Sequence, residues 1–352
     1  MEFIISKIKS IKPIGIRQTY DIEMPKKEPS YIANKFVVHN SVGDACFSPK
    51  IITENLRKLG FKAAALTDHG TLAGVLEFQR AMLEKGLKPI IGCEIYCKFE
   101  NDENRYHFTV LVKNEIGWKN ILKLQAIAVR ENFYYKPLMP FIKLIELHEG
   151  LIITSGCSSG KIYKLLDTEK NIEAEKLIKV LTDNFKEDFY FEIQPHNIEN
   201  NQKVMQKKFE LSKKFNVKCI FATDTHYCLY SEEKYHQIIK AIDMKKQYGE
   251  AGYGDDCFFL MQEQDIIDKL KKSAEWMLPF YKEFQKNTFE IVNKCNFKIE
   301  PPVENDTLPK YKPEICKENF EKLYEEFIEW KKNVLEGKEK LILSEHEKVL
   351  EE

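Results

Sequence analysis

From Ser48 onward the chain alternates two periodicities: short apolar runs, and longer stretches with apolar residues every three or four positions. Ser48 can cap a helix with Pro49 in its first turn; Ile51, Ile52, Leu56 and Leu59 are predicted to face inward, and Gly60 to end it. Ala63–Thr67 reads as a buried strand, and Leu72–Lys85 as a helix ended by Gly86. Pro89–Cys97 and Phe108–Val112 read as strands, and Gly117–Arg130 as a helix. Leu151–Thr154, Phe189–Ile193 and Cys219–Ala222 are further strands, separated by helical stretches such as Ile172–Asn184 and Glu199–Phe215. Repeated βα units imply an α/β fold with a parallel sheet or barrel and helices outside. In a barrel, chemistry belongs at the C-terminal ends of the strands.

The first forty residues follow another pattern. Phe3–Ile8, Thr19–Met24 and Tyr31–Val38 read as short strands punctuated by Pro13, Gly15, Pro25 and Pro29, with no helix among them. Periodicity alone therefore puts a boundary near Asn40. From Glu314 the chain is rich in Glu and Lys, with Phe320, Leu323, Phe327 and Trp330 at helical spacing, which predicts an amphipathic helix and a solvated end. The expected domains are 1–40, 41–300 and 301–352.

Composition narrows the class. At 43% hydrophobic and 31% charged residues the chain can build a core, and its formal net charge of -1 gives no global basic field for nucleic acid. The nine cysteines form no CxxC pair, which argues against a zinc knuckle and for buried thiols in a reducing cytoplasm. No apolar run is long enough to span a membrane, and the start is too short and interrupted for a signal peptide.

Polar residues collect at the predicted strand ends. Leu66-Thr67-Asp68-His69-Gly70 ends one strand, Gly92-Cys93-Glu94 lies in the next, Thr154-Ser155-Gly156-Cys157 ends another, and Ala222-Thr223-Asp224-Thr225-His226 ends the last. With His107 and Asp44 they form a set of carboxylates, imidazoles and one thiol that suits zinc, manganese or iron. Adjacent divalent metals can activate water and clamp a phosphate for hydrolysis. Taken singly, each residue reads as readily as a cap or an ion-pair member; the recurrence at several strand ends favours a site. His196 could be a ligand or part of a helix entry, and His148, His236 and His346 are expected on solvated helical faces.

The boundary has chemistry of its own. In Val38-His39-Asn40-Ser41 an Asn amide can attack its own carbonyl and break the following bond, a neighbouring His can serve as acid or base, and a Ser can accept an acyl group. Thr19-Tyr20-Asp21-Ile22-Glu23, followed by Tyr31 to Asn40 and Ser41, resembles the C-terminal motifs of inteins. The resemblance implies that Asn40 cyclises, His39 assists, Ser41 is the first extein nucleophile and Asp21 is the upstream carboxylate. Many inteins have a His where Pro29 or Ser30 stands here. Nothing in this segment resembles an N-terminal intein half, so the resemblance implies a small all-β fragment of a split intein that splices in trans with an N-terminal split-intein/extein chain.

The remainder resembles the PHP domain of bacterial-type DNA polymerase III α subunits, through Ser41 to Pro49, Ala65 to Gly74, Lys88 to Tyr96, His107 to Asn114, Ser155 to Gly160 and Ala222 to Tyr227. Leu308-Pro309-Lys310-Tyr311-Lys312 resembles the stretch leading into the polymerase core. The resemblance implies a distorted (β/α)7-type barrel, with Asp44, His69, Glu94, His107, Cys157, Asp224 and His226 as metal ligands. Cys157 stands where many PHP enzymes have His. The family's initial His-x-His pair is absent and is expected on the partner's extein. Also implied are a role in DNA replication, 3′–5′ exonuclease or phosphoesterase activity, and, as partners, the rest of the polymerase, DNA and other replisome subunits, with no membrane. No palm domain with paired aspartates is visible, so this chain is not expected to polymerise DNA alone. A non-catalytic structural PHP module and a free-standing PHP phosphatase are the alternatives.

Overall fold

The computed structural model describes residues 45–196, 200–250 and 258–300, and helical positions 325, 326, 328, 329 and 332. The predicted strands of residues 1–40 and the apolar positions Phe320, Leu323, Phe327 and Trp330 lie outside the described residues. The chain divides into two units between Ile299 and Glu300. In the second, Glu325, Glu326, Glu329 and Lys332 are exposed helical positions, as is Ile328.

The first unit opens with α1 (Pro49–Lys58), β1 (Ala63–Leu66), α2 (Val75–Glu84), β2 (Lys88–Lys98), β3 (Arg105–Val112) and α3 (Glu115–Arg130). A small hairpin of β4 (Phe133–Tyr134) and β5 (Lys136–Pro140) follows, then α4 (Phe141–Glu146), β6 (Leu151–Thr154), α5 (Lys161–Asp167) and α6 (Asn171–Phe185). Next come β7 (Phe189–Ile193), α7 (Asn201–Phe215) and β8 (Lys218–Phe221), and finally α8 (Glu233–Met244), α9 (Glu263–Ser273) and α10 (Tyr281–Lys294). Ser48 caps α1 as expected, its hydroxyl accepting from the Ile51 amide at 3.4 Å. Ile52 and Leu56 are buried, but Ile51 is 50% exposed, contrary to the inward expectation. One residue ahead of Ile52, it sits about 100° around the helix, off the stripe that Ile52, Leu56 and Leu59 share.

The strands form a curved half-barrel, ordered β1-β2-β3-β6-β7-β8, with β5 and β4 beside the upper end of β2. The expectation of a wholly parallel sheet is corrected: β3 runs antiparallel to both β2 and β6. The link from Lys98 to Arg105 holds no helix, so it can only turn the chain back, whereas a parallel neighbour needs a crossover of a dozen residues or more.

Alternation along each strand divides the two faces. Ile91, Cys93, Ile95, Cys97, Phe108, Val110 and Val112 belong to the large core packed under the helices. The inner face is layered. Ile90, Leu111, Ile152, Tyr190 and Ile220 form an apolar floor closed by Ile291 and Cys295. Above it stand Thr109, Thr154 and Glu192, and at the C-terminal mouth Glu94, His107 and Asp224. A cavity of about 740 Å³ runs from the floor to the mouth. Both β1 and β8, the two edges of the half-barrel, line it, and among the described residues neither edge carries an outer strand. No helix among the described residues is long and apolar enough to cross a membrane.

Candidate metal centre

Glu94 and His107 enter the site by strand register. Glu94 lies on the inner face of β2, two residues before Tyr96, and Tyr96 pairs with His107 of β3. His69 follows β1 in a tight bend that bridges to Glu94, with the Gly70 amide donating to the Glu94 carbonyl at 2.8 Å. His107 Nδ1 meets Glu94 Oε1 directly, and His69 Nδ1 lies 3.9 Å from the same oxygen. One donor atom from each of the three lies within 4.8 Å of the others, close enough for a single ion to be held by all three.

Cys157 completes the corner. Its Sγ is 3.6 Å from Glu94 Oε1 and 3.5 Å from His107 Nδ1. The loop that carries it is tied to β3, the His107 amide donating to the Ser159 carbonyl at 3.1 Å. Asp224 and His226 extend from β8 at the opposite edge of the half-barrel and line the same cavity as His69. Asp224 holds a left-handed backbone, φ +48°, and His226 Nδ1 is 2.5 Å from the Asp224 carbonyl. The His226 amide donates to the Phe258 carbonyl at 2.7 Å, and its carbonyl accepts from the Cys46 amide at 2.8 Å. Asp21, His39, Asn40, Ser41 and Asp44 lie outside the described residues.

Electrostatics separates the acidic groups. Burial alone would push the Glu94 carboxyl up, but the His107 hydrogen bond and the charges of His69, His107 and His226 outweigh it and hold it below the usual range. Burial and the nearby Glu94 and Asp224 charges push the Cys157 thiol well up. A carboxylate held ionised between imidazoles, with a thiol against it, is a mixed O/N/S donor set that fits a borderline divalent ion such as zinc, manganese or iron.

Several residues were not marked by the sequence as part of the surroundings. Tyr96 stacks on the His69 ring, centroids 5.7 Å apart at 18°. Glu192 is buried under the mouth, where it accepts from Thr154 Oγ1 and, at 3.2 Å, from Gln194 Nε2. Burial raises its carboxyl pKa. A carboxylate inside the apolar run Phe189–Ile193 was the signal for it. Buried Lys208 donates to the Glu192 carbonyl at 3.1 Å, and burial lowers its pKa to about 8. His236, expected on a solvated face, is only 4% exposed: its ring lies 5.3 Å from those of both His226 and Tyr227, because α8 packs that side against the β8 loop. His148 is half-buried, with Nδ1 2.7 Å from the Ile145 carbonyl and its ring edge toward Phe185. His346 lies outside the described residues. His196 is also buried; its Nε2 lies 3.3 Å from the Thr223 carbonyl, beside the Asp224 loop.

Residues 38–196 match the sequence profile of the PHP domain. The DNA polymerase III subunit alpha of Treponema pallidum is 32% identical over 284 residues, covering 77% of this chain and 23% of that protein. That of Aquifex aeolicus is 31% identical over 283 residues, covering 74% and 24%. A solved two-domain protein from Bacteroides vulgatus, containing a predicted PHP-like metal-dependent phosphoesterase, is similar over 67% of this chain and 68% of its own at 11% identity and a TM-score of 0.33. The chain spans about a quarter of the length of the curated relatives it matches. It carries a PHP domain, and it is homologous to the PHP region of DNA polymerase III α subunits.

Proposed function

We propose that this chain is the PHP segment of a replicative DNA polymerase III α subunit, that its site hydrolyses phosphodiesters with divalent metals, and that trans-splicing at Asn40/Ser41 completes it. The observation that carries the reading is the convergence of His69, Glu94, His107 and Cys157 at the C-terminal mouth of the half-barrel. Asp44, Asp224 and His226 are assigned to the same ligand set. Bound there, divalent ions supply Lewis-acid stabilisation of a phosphoryl group and activation of the attacking water. The chain's own part is positioning. Glu94 stays ionised against its imidazoles, the Gly70 amide fixes the carbonyl of Glu94, and Tyr96 holds the plane of the His69 ring. DNA, the remaining polymerase chain and other replisome subunits are the proposed partners, in a cytoplasmic setting.

In the splicing part, the chain at Ser41 leads toward Cys46, whose amide donates to the His226 carbonyl at the mouth of the half-barrel. A His-x-His strand supplied there by the partner would add two ligands, and metal affinity rises steeply with ligand number and preformed geometry. In this reading residues 1–40 act as an intein fragment, with Asn40 cyclising, His39 assisting, Ser41 accepting the acyl group and Asp21 supporting them. Metal content by elemental analysis and manganese-dependent hydrolysis of bis(p-nitrophenyl) phosphate are the measurements, before and after mixing with the N-terminal partner. Both should rise together on mixing, and Asn40→Ala should block the rise and the release of the 1–40 piece seen by intact mass. Glu94→Gln and Asp224→Asn should each abolish turnover. Full loading and turnover in the unmixed chain would refute completion by splicing, and full loading without turnover would leave a structural metal domain.

A further inference from the structure

We propose that the β4–β5 hairpin is a stacking platform that holds single-stranded nucleic acid at the mouth of the metal centre. Three consecutive aromatic side chains stand out in solvent there: Phe133 is 60% exposed, Tyr134 69% and Tyr135 79%. Leaving so much ring surface in water gives up burial that each could find elsewhere, and contiguous exposed apolar surface marks a contact site. Tyr134 and Tyr135 lie edge to face, centroids 4.7 Å apart at 78°, so the hairpin offers ring faces in two directions. Tyr135 also holds φ +56°, a left-handed conformation that a bulky side chain rarely adopts. Gly or Asn would serve that turn at lower cost, so the ring, not the turn, accounts for a tyrosine there.

The hairpin is continuous with the site. Pro137 packs against Gly70, where an added Cβ would lie 2.8 Å from Pro137 Cγ. Leu138 of β5 pairs with Tyr96, whose ring stacks on His69. Two cations flank that ring: Lys136 Nζ at 5.7 Å and Arg105 Cζ at 5.8 Å from its centroid. On the β2–β3 turn, Asp102 is held by Lys161 and by the Tyr106 hydroxyl. Aromatic faces interleaved with cations are the chemistry that binds a single strand: every base has a π face to stack, and every phosphate a charge. A duplex hides the base faces, and an apolar protein partner has no use for the cations. The inference rests on the metal-centre reading only for its direction, with the strand end delivered past Tyr96 toward His69; the binding itself does not need the metal.

The test uses the full chain in EDTA and a fluorescein-labelled dodecathymidylate, read by anisotropy. Tyr134→Ala and Tyr135→Gly are each expected to raise Kd roughly tenfold, the usual effect of removing one base–aromatic stack. Tyr135→Gly relieves the left-handed strain, so its melting temperature should hold or rise, which separates lost stacking from lost fold. Lys136→Gln should weaken binding and lower the salt slope by about one. An unchanged Kd in both tyrosine variants overturns the platform, as does a duplex binding as tightly as the single strand. Concentration-dependent self-association by sedimentation that both variants abolish would assign the hairpin to a second copy and overturn it too. Turnover of bis(p-nitrophenyl) phosphate with manganese by the wild type after mixing with the N-terminal partner reads the metal centre independently. Turnover without oligonucleotide binding sinks the platform alone, and aromatic-dependent binding without turnover upholds the platform and sinks the hydrolytic reading.

Discussion

Gly156 sits beside Cys157 at φ +68°, and a Cβ there would meet the His107 carbonyl oxygen at 2.6 Å. Backbone cannot yield as a side-chain tip can, so Gly156→Ala should cost about 2–4 kcal/mol, the left-handed penalty plus the displacement of β3. Gly86 has the same φ with nothing within 4 Å of its would-be Cβ, so Gly86→Ala isolates the conformational part, at about 1 kcal/mol. Urea unfolding of both variants checks the difference; equal losses would mean that His107 moves aside freely. Gly156→Ala should also retain less zinc or manganese, because the shifted carbonyl carries the His107 ring with it. The residues that converge at the mouth were legible: His69 and Cys157 follow strands, and Glu94 and His107 interrupt apolar runs, where a polar side chain needs a reason. Tyr96 and Glu192 were not, since an aromatic or a lone carboxylate in a strand reveals its face only when register and partner strands are known. His236 misled because its helix has exposed neighbours at Tyr235 and Ile238, and only the packed β8 loop decides which side of α8 is covered.

The helix α10 is fastened across the bottom of the half-barrel by a charged cluster. Glu290 accepts from the Tyr190 hydroxyl at 2.9 Å, pairs with Lys294 at 3.0 Å and meets Lys218 of β8, while Lys294 also reaches Asp188 at 3.1 Å. Burial would raise the Glu290 carboxyl, but the hydrogen bonds from Lys218, Lys294 and Tyr190 outweigh it and lower its pKa to about 2. A carboxylate whose pKa falls on folding adds stability above its unfolded value, near 4.3 in model peptides, and loses it as pH falls through the folded value. Glu290→Gln should therefore cost about 1 kcal/mol at neutral pH, discounted for its partial exposure, and the gap to the wild type should close between about pH 4 and pH 2. Denaturant melts across that range check it, and a pH-independent gap would mean that shape, not charge, holds α10 down. At this scale the strong periodicities were readable, and β1, β6, β7 and β8 fall within one or two residues of expectation. The β4–β5 hairpin was not, because Phe133-Tyr134-Tyr135-Lys136-Pro137 lacks alternation and its turn uses a tyrosine where a glycine would have signalled it.

At the level of the whole chain, the division between Ile299 and Glu300 makes the first unit a body whose last residues still carry weight. The Gln79 side chain grips the Ile299 backbone twice, donating to its carbonyl at 2.7 Å and accepting from its amide at 2.8 Å. Phe297 stacks on Trp118 with centroids 5.4 Å apart, and both Phe297 and Ile299 pack against the main core. These contacts draw the segment after α10 back over α2 and α3, so it belongs to the half-barrel rather than to the charged tail. A chain ended after Glu300 keeps them all, and its melting temperature should stay within about 2 °C of the full chain, a change worth under 1 kcal/mol for a domain of this size. A chain ended after Lys294 loses Phe297, Ile299 and the buried Cys295 that closes the floor, and leaves the mostly buried Gln79 amide without its backbone partners, which should cost about 3–5 kcal/mol or more. Differential scanning calorimetry of the two truncations decides the matter. A large drop already at Glu300 would show that residues 301–352 contribute to the stability of the first unit, whereas equal stability of both truncations would remove the Gln79 clasp and the Trp118 stack from what holds it together.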